Sequence, residues 1–213
     1  MKNAKNKFIQ VLVYFCVLFL FSSCGNELKI KVSESGINFD YKIISSNEFF
    51  SLFFANNSEN AAFDVDEISK IFTASGFENV TALTFNSGRN LEVKAALPES
   101  ADDPVSKSGM LLLAENKLKI LLNNKNLLSF YENLSSDLQS YLDMLMAPTF
   151  TGEEMTNAEY IELISEVYGE RLAKELEEAT VKITLDSFSK TEKSYSVKLV
   201  DILNMKNEVV LEI

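Results

Sequence analysis

The sequence predicts an α+β fold in which a largely antiparallel sheet packs against a pair of amphipathic helices. Apolar and polar residues alternate in several short runs, as in half-buried strands, and two longer segments repeat apolar residues every three or four positions, as in helices. The strand runs come in neighbouring pairs, which favours antiparallel hairpins. With 46% apolar residues among 213, the chain can bury the core of a single domain, predicted at 27–213.

Three pairs of alternating runs predict three hairpins in the first half of the chain. Their strands are predicted at 28–32 and 37–43, at 80–85 and 91–97, and at 110–113 and 117–122. Between the first two hairpins, Asp64 and Glu67 have the spacing of a capping box and predict a short helix. Alternation returns near the C-terminus and predicts a three-stranded meander at 181–185, 195–202 and 209–213.

A phenylalanine-rich segment, 45–57, follows the first hairpin. It contains Phe49, Phe50 and Phe53, and its apolar residues would cover almost the whole circumference of a short helix. Such a segment is typical of a protein core, but it also suits a surface that faces a membrane or a ligand. The sequence leaves both interpretations open.

Two amphipathic helices are predicted in the second half of the chain. Six apolar residues spaced alternately four and three apart predict a first helix of about 20 residues. They are Leu127, Tyr131, Leu134, Leu138, Tyr141 and Leu145. The second helix begins at a capping box formed by Thr156 and Glu159, and Gly169 is a point at which it can divide. Its apolar stripe consists of Ile161, Ile164, Tyr168, Leu172 and Leu176.

The linker between these helices carries Met144, Met146 and Phe150 around Pro148. Methionine and phenylalanine side chains beside a proline form an adaptable apolar surface of the kind that contacts a partner or an acyl chain. Burial beneath the second helix is the alternative.

The residue inventory excludes most kinds of catalytic site. Histidine is absent, so the chain lacks the commonest general base, the Ser-His and Cys-His nucleophiles and the usual zinc ligands. Ser187 and Lys190 have Ser-x-x-Lys spacing but lie in a predicted turn, and the acidic residues lack the spacing of a calcium loop. We therefore predict no enzyme activity, no cofactor and no metal site. A carboxylate-based enzyme is the alternative, because spacing alone does not reveal a pair of acids.

The first 25 residues follow a pattern of their own. Three lysines precede a run of 14 residues, 8–21, that is apolar except for Gln10, and small residues then lead to a cysteine. The residues concerned are Lys2, Lys5, Lys7, Ser22, Ser23 and Cys24. The run is too short to span a bilayer, which takes about 20 residues. This order resembles a bacterial lipoprotein signal peptide, in which the cysteine becomes the lipidated first residue of the mature protein.

The resemblance implies that residues 1–23 are removed, that Cys24 is lipidated and that 24–26 form a short tether. It also implies a location in the cell envelope. In lipoproteins an aspartate after the cysteine favours retention at the inner membrane, so Gly25 at that position implies the periplasmic leaflet of the outer membrane. Because the net charge is −11, the surface repels phosphate backbones and anionic headgroups. No nucleic-acid partner is therefore expected, and acyl chains on Cys24 have to supply the membrane attachment.

Two functions fit a lipid-anchored acidic domain. The first is non-enzymatic binding of an envelope protein partner, or a structural part in an assembly at the membrane surface. The second is binding of a hydrophobic ligand such as a lipid in a cavity between the sheet and the helices. The candidate residues for that cavity are Phe49, Phe50, Phe53, Met144, Met146 and Phe150.

Overall fold

A computed structural model describes residues 26–33, 36–44, 63–74, 77–98, 107–114, 117–132, 148–187 and 191–213, together with Gln139, Asp143 and Met146. The strands in these ranges are β1 (Asn26–Ser33), β2 (Gly36–Ile44), β3 (Glu78–Phe85), β4 (Asn90–Leu97), β5 (Leu111–Ala114), β6 (Lys117–Leu122), β7 (Thr180–Asp186), β8 (Glu192–Lys198) and β9 (Val209–Glu212). The helices are α1 (Val65–Ala74), α2 (Asn124–Glu132), α3 (Asn157–Tyr168), α4 (Glu170–Glu178) and α5 (Leu199–Leu203). The predicted α+β fold with a mostly antiparallel sheet is confirmed.

Six strands form the main sheet, in the order β3, β4, β2, β1, β7 and β8. All neighbours are antiparallel except β1 and β7, which run parallel. The two hairpins predicted to contribute to this sheet, β1 with β2 and β3 with β4, are confirmed. Alternate residues of each inner strand face the core, and Ile30 of β1 and its register partner Leu185 of β7 are fully buried there.

Three strands form a second sheet, in the order β5, β6 and β9. The hairpin of β5 and β6 confirms the third predicted hairpin. The predicted C-terminal meander is wrong in its third strand, because β9 pairs with β6 and not with β8. The chain after β8 forms the helix α5 instead of extending the strand, and the four apolar residues of α5 are all buried. Burial of this helical turn redirects the chain toward β6.

A tyrosine links the two sheets where the meander was predicted. The Tyr195 hydroxyl of β8 donates a hydrogen bond to the Glu212 carbonyl oxygen at 2.7 Å and accepts one from the Glu212 N–H at 3.1 Å. The Lys193 ammonium donates to the same carbonyl oxygen at 3.3 Å. Side-chain hydrogen bonds therefore connect β8 to β9 in place of a backbone ladder.

The second predicted helix divides at Gly169 into α3 and α4, as its sequence predicts. The Thr156 hydroxyl accepts the Glu159 N–H at 3.2 Å, and the Glu159 carboxylate accepts the Thr156 N–H at 2.7 Å, so the capping box is confirmed. These hydrogen bonds favour the charged carboxylate and lower the pKa of Glu159. At the start of α1, the Asp64 carboxylate likewise accepts the Asp66 N–H, at 3.1 Å.

The first predicted helix is described only in part. Its beginning forms α2, and residues 148–151 are helical again beyond its predicted end. Residues 133–138 lie outside the described part of the chain, so a single continuous helix stays a prediction. Within α2, the buried Asn126 amide donates to the carbonyl oxygens of Gly109 and Leu121, at 3.0 and 3.2 Å, and fastens the helix to the second sheet.

One hydrophobic cluster collects the buried apolar residues of both sheets and of all five helices. Thr149 adds a buried polar link to it, since its hydroxyl donates to the Leu203 carbonyl oxygen at 2.8 Å and accepts the Met205 N–H at 3.0 Å. Of the helices in the described ranges, none has both the length and the hydropathy needed to cross a membrane.

Candidate functional site

The residues predicted to line an apolar ligand cavity are described only in part. Outside the described residues lie Phe49, Phe50, Phe53 and Met144, as does the predicted lipidation site, Cys24. Met146 is fully buried in the hydrophobic cluster. Phe150 is half-buried and packs on Tyr131, with 4.3 Å between the ring centroids. These two side chains therefore belong to the packed interior.

The open face of the main sheet, on the side away from the core, gathers charged residues through strand register. Lys94 of β4 lies opposite Asp40 of β2, which lies opposite Lys29 of β1. Two residues further along, Asn38 of β2 lies opposite Lys31 of β1. Outward-facing side chains from three adjacent strands therefore stand in two parallel rows.

A hollow of about 330 Å³ opens between these rows, and we call it the lysine hollow. Its polar lining consists of Lys29, Lys31, Asn38, Asp40, Asn79 and Lys94, and its other lining residues are Phe39, Ala95 and Ala96. The lining itself holds three lysines and one aspartate, and Glu92, Asp186 and Glu192 beside it also contact these lysines, so the surface carries no excess of positive charge.

A bulge and a small side chain explain the shape of the hollow. The register between β3 and β4 shifts between Glu78 and Thr81, and Asn79 between them has a φ of 53°. Such a bulge bends an edge strand and increases its twist. Ala96, the register partner of Asn38, projects only a methyl group and leaves open the space that a longer side chain would fill.

The two lysines on β1 reach toward carboxylates on β7 and β8. The Lys29 ammonium donates to the Glu192 carboxylate at 3.1 Å, and the Lys31 ammonium lies 3.6 Å from the Asp186 carboxylate. The hydrogen bond to Glu192 and its negative charge raise the pKa of Lys29. Both side chains of the Lys29–Glu192 pair are about half exposed, so this pair is solvated and can be exchanged for another carboxylate, whereas the Asp186 side chain is only 16% exposed.

The third lysine contacts two carboxylates on the open face. The Lys94 ammonium lies 2.7 Å from the Glu92 carboxylate and 3.8 Å from that of Asp40. The hydrogen bond with Glu92 and the charge of Asp40 raise the pKa of Lys94. Because its side chain is 55% exposed, Lys94 keeps its full charge within reach of a ligand.

Sequence reasoning did not find this hollow. Alternation places Lys29, Lys31 and Lys94 on the outward faces of their strands, but no local pattern shows that β2 pairs with both β1 and β4. The usable signal is the charge of β1, whose two outward lysines are adjacent on one face in an acidic chain. The candidate Ser187 does lie in the turn after β7, where its N–H donates to the Thr191 carbonyl oxygen at 3.0 Å, whereas Lys190 lies outside the described residues.

The groups in the lysine hollow are those that bind anions. Ammonium groups and side-chain amides donate hydrogen bonds to carboxylates, and charge strengthens those bonds. Within the described part of the chain, no three acidic, cysteine or histidine side chains converge in a group that could hold a metal ion. Comparison with protein families, with curated proteins and with solved structures finds no match for this chain.

Proposed function

We propose that this protein is a lipid-anchored protein of the cell envelope that binds an acidic segment of a protein partner in the lysine hollow. The hollow is the observation that carries the proposal, because three lysines line it in a chain of net charge −11. A segment rich in carboxylates can take the place of the exposed Glu192 beside Lys29 and can reach the exposed Lys31 and Lys94, and it is repelled by the acidic remainder of the chain. Electrostatic complementarity of this kind selects one docking site and accelerates encounter.

The position of β1 supports a function at the membrane surface. β1 begins at Asn26, only two residues after Cys24, so the tether between acyl chains and sheet spans about 10 Å at most. The signal sequence and Gly25 support the periplasmic leaflet of the outer membrane as the location. The role is binding and not catalysis, in keeping with a chain that has no histidine and a site lined mainly by lysines and amides.

Binding of a hydrophobic ligand is the second interpretation of the sequence. It depends on Phe49, Phe50, Phe53 and Met144, which lie outside the described residues. The two candidates that are described, Met146 and Phe150, pack against the core. No observation on the described residues therefore favours this interpretation.

The anchor has a direct test. We expect Cys24→Ala to abolish metabolic labelling by a fatty-acid probe and to leave the signal peptide uncleaved by the lipoprotein peptidase, because the sulfur that accepts the lipid is gone. Intact mass and in-gel detection of the probe measure both effects. Cys16→Ala, a change within the signal peptide, is the matched control and should keep both labelling and cleavage. Persistent labelling of Cys24→Ala contradicts the anchor.

The lysine hollow has a separate test. A photoreactive amino acid at Asn38, which lines the hollow, should crosslink to a protein partner in intact cells. We expect reversal of two charges, Lys31→Glu with Lys94→Glu, to reduce that product by at least about tenfold, because like charges then face the acidic segment. The matched control is Lys174→Glu on α4. This side chain is 74% exposed and belongs to a helix that contributes no residue to the lining of the hollow. Equal loss in the control, or a product that survives the double reversal, contradicts the proposal.

A further inference from the structure

The end of the main sheet at which β1 begins is the end nearest the lipidated residue. Glu27 of β1 lies opposite Lys42 of β2, and the two strands are antiparallel. Ile44, the last residue of β2, therefore stands one position beyond Asn26 in the direction of Cys24. A hydrogen bond from the Ile44 N–H to the Asn26 side-chain oxygen, at 3.1 Å, ties these two strand ends together.

The turn between β3 and β4 lies at this same end. Ile44 lies opposite Asn90 of β4, and Asn90 lies opposite Phe85 of β3. Residues 86–89 extend beyond that row, at the end of the sheet where β1 begins. The spacing of three strands separates β3 from β1, which places the turn about 14 Å to the side of the tether.

The hairpin tip exposes apolar side chains beside cations. Leu83 and Phe85 project on the open face of β3 and are 66% and 37% exposed. The Lys42 ammonium stands 5.4 Å from the centroid of the Phe85 ring, and Arg89 is exposed in the turn. Large apolar groups flanked by long cationic side chains suit the boundary between headgroups and acyl chains, where the apolar part inserts and the cations meet phosphates.

The backbone holds this tip in one shape. Asn86, Ser87 and Gly88 have φ values of 52°, 54° and 81°, three successive residues in the left-handed region. The Arg89 N–H closes the turn on the Asn86 carbonyl oxygen at 3.2 Å, and the Phe63 N–H donates to the Gly88 carbonyl oxygen at 3.0 Å. A preformed tip loses little conformational entropy when it meets a surface.

We propose that the β3–β4 hairpin tip, through Leu83, Phe85 and Arg89, makes a second contact with the bilayer in which the acyl chains of Cys24 are inserted. The inference rests on the lipid anchor of the proposed function and adds to it a surface of the folded domain. Two carboxylates of the open face are already paired, Glu27 with Lys182 at 3.1 Å and Glu92 with Lys94 at 2.7 Å. The exposed Asp64 follows Phe63, which bonds to the turn, so this side of the tip carries an acidic residue as well.

Two contacts about 14 Å apart orient the domain where a tether alone would let it pivot. The strands then rise from the bilayer, with the lysine hollow on their open face. Lys29 and Lys31 are three and five residues from Asn26, so the hollow stands roughly 10–17 Å above the strand end. A partner at the membrane surface meets the hollow from the side.

The experiment uses the lipidated chain with Ser87→Cys, labelled with a fluorophore and reconstituted in vesicles of phosphatidylethanolamine and phosphatidylglycerol. Acylation occupies the sulfur of Cys24, so the introduced thiol alone takes the label. Spin-labelled headgroups act as quenchers, and no other protein is present. Glu192→Cys is the matched control, because Glu192 is register partner of Asp186 at the opposite end of the sheet.

We expect quenching at Ser87→Cys to be several times that at Glu192→Cys. Adding Leu83→Ser and Phe85→Ser, both at exposed positions, should lower it toward the control, and circular dichroism verifies that the fold persists. Equal quenching at both probes, with acylation confirmed by intact mass, overturns the hairpin contact and leaves the anchor standing. A mass without acyl chains overturns the anchor and this inference together.

Discussion

Gly36→Ala is expected to lower the free energy of unfolding by about 2–5 kcal/mol. Gly36 opens β2 with a φ of 128°, a conformation that residues with a Cβ rarely adopt. An added Cβ would collide with the Leu97 carbonyl oxygen of β4 and lie 3.1 Å from the Cα of Pro98. Both neighbours are backbone atoms, one in the last residue of β4 and one in the residue directly after it, so relief requires β2 and β4 to separate. Since Asn38 and Asp40 on β2 line the lysine hollow, that movement would also distort the hollow.

Gly152→Ala is the matched control for this prediction. Gly152 also has a positive φ, 73°, but no atom lies within 4 Å of a Cβ added there. The free energy of unfolding of Gly152→Ala should fall only by the cost of the left-handed backbone conformation, about 1–2 kcal/mol. Urea denaturation of the wild type and the two variants measures the free energies of unfolding. The extra loss in Gly36→Ala, relative to Gly152→Ala, is the cost of the collision with Leu97. Equal destabilisation by the two substitutions would show that β2 and β4 move apart at little cost in free energy.

Features that depend on neighbouring residues were predictable from the sequence. The capping box of Thr156 and Glu159, the break at Gly169 and the three hairpins each involve residues within one turn or one short loop. Alternation also gave the buried face of β1, because the side-chain period of a strand is two. Local chemistry decides these features, so the sequence displays them directly.

The pairing of β9 was not predictable in the same way. β6 and β9 lie nearly 90 residues apart, and no periodicity in either strand identifies its partner. The segment Leu199–Leu203 was also ambiguous, since Leu199 and Ile202 are three residues apart and fit a helical stripe as well as the end of a strand. Burial of the whole turn, a tertiary effect, decides in favour of the helix.

The lysine hollow shows the same limit at the level of function. Each lysine taken alone is an outward residue on a solvated face, and only the register of β1, β2 and β4 makes the three a site. The predicted anchor at Cys24 has the clearest local pattern in the sequence, whereas the hollow depends on which strands pair. β1, the strand that follows the predicted anchor, lies inside the main sheet between β2 and β7.

Leu176→Ala is expected to cost about 2–5 kcal/mol of unfolding free energy. Leu176 is fully buried on α4 and belongs to the same hydrophobic cluster as the strands of the main sheet. Truncation removes apolar contacts and leaves a cavity that the surrounding strands fill only in part. Alanine suits a helix at least as well as leucine, so helix propensity does not contribute to the loss.

Leu128→Ala on α2 is the control, because it is the same change in a helix at a side chain that is 41% exposed. It should cost less than about 1 kcal/mol. The comparison bears on function as well, since Leu176 faces the core and the lysine hollow lies on the other side of the sheet. At a temperature where Leu176→Ala stays folded, crosslinking from Asn38 should match the wild type even though the denaturation midpoint is lower. Loss of the crosslink in the folded variant would show that the core and the open face are coupled. Partner binding in the hollow would then depend on the packing beneath the sheet as well as on the charges of its lining.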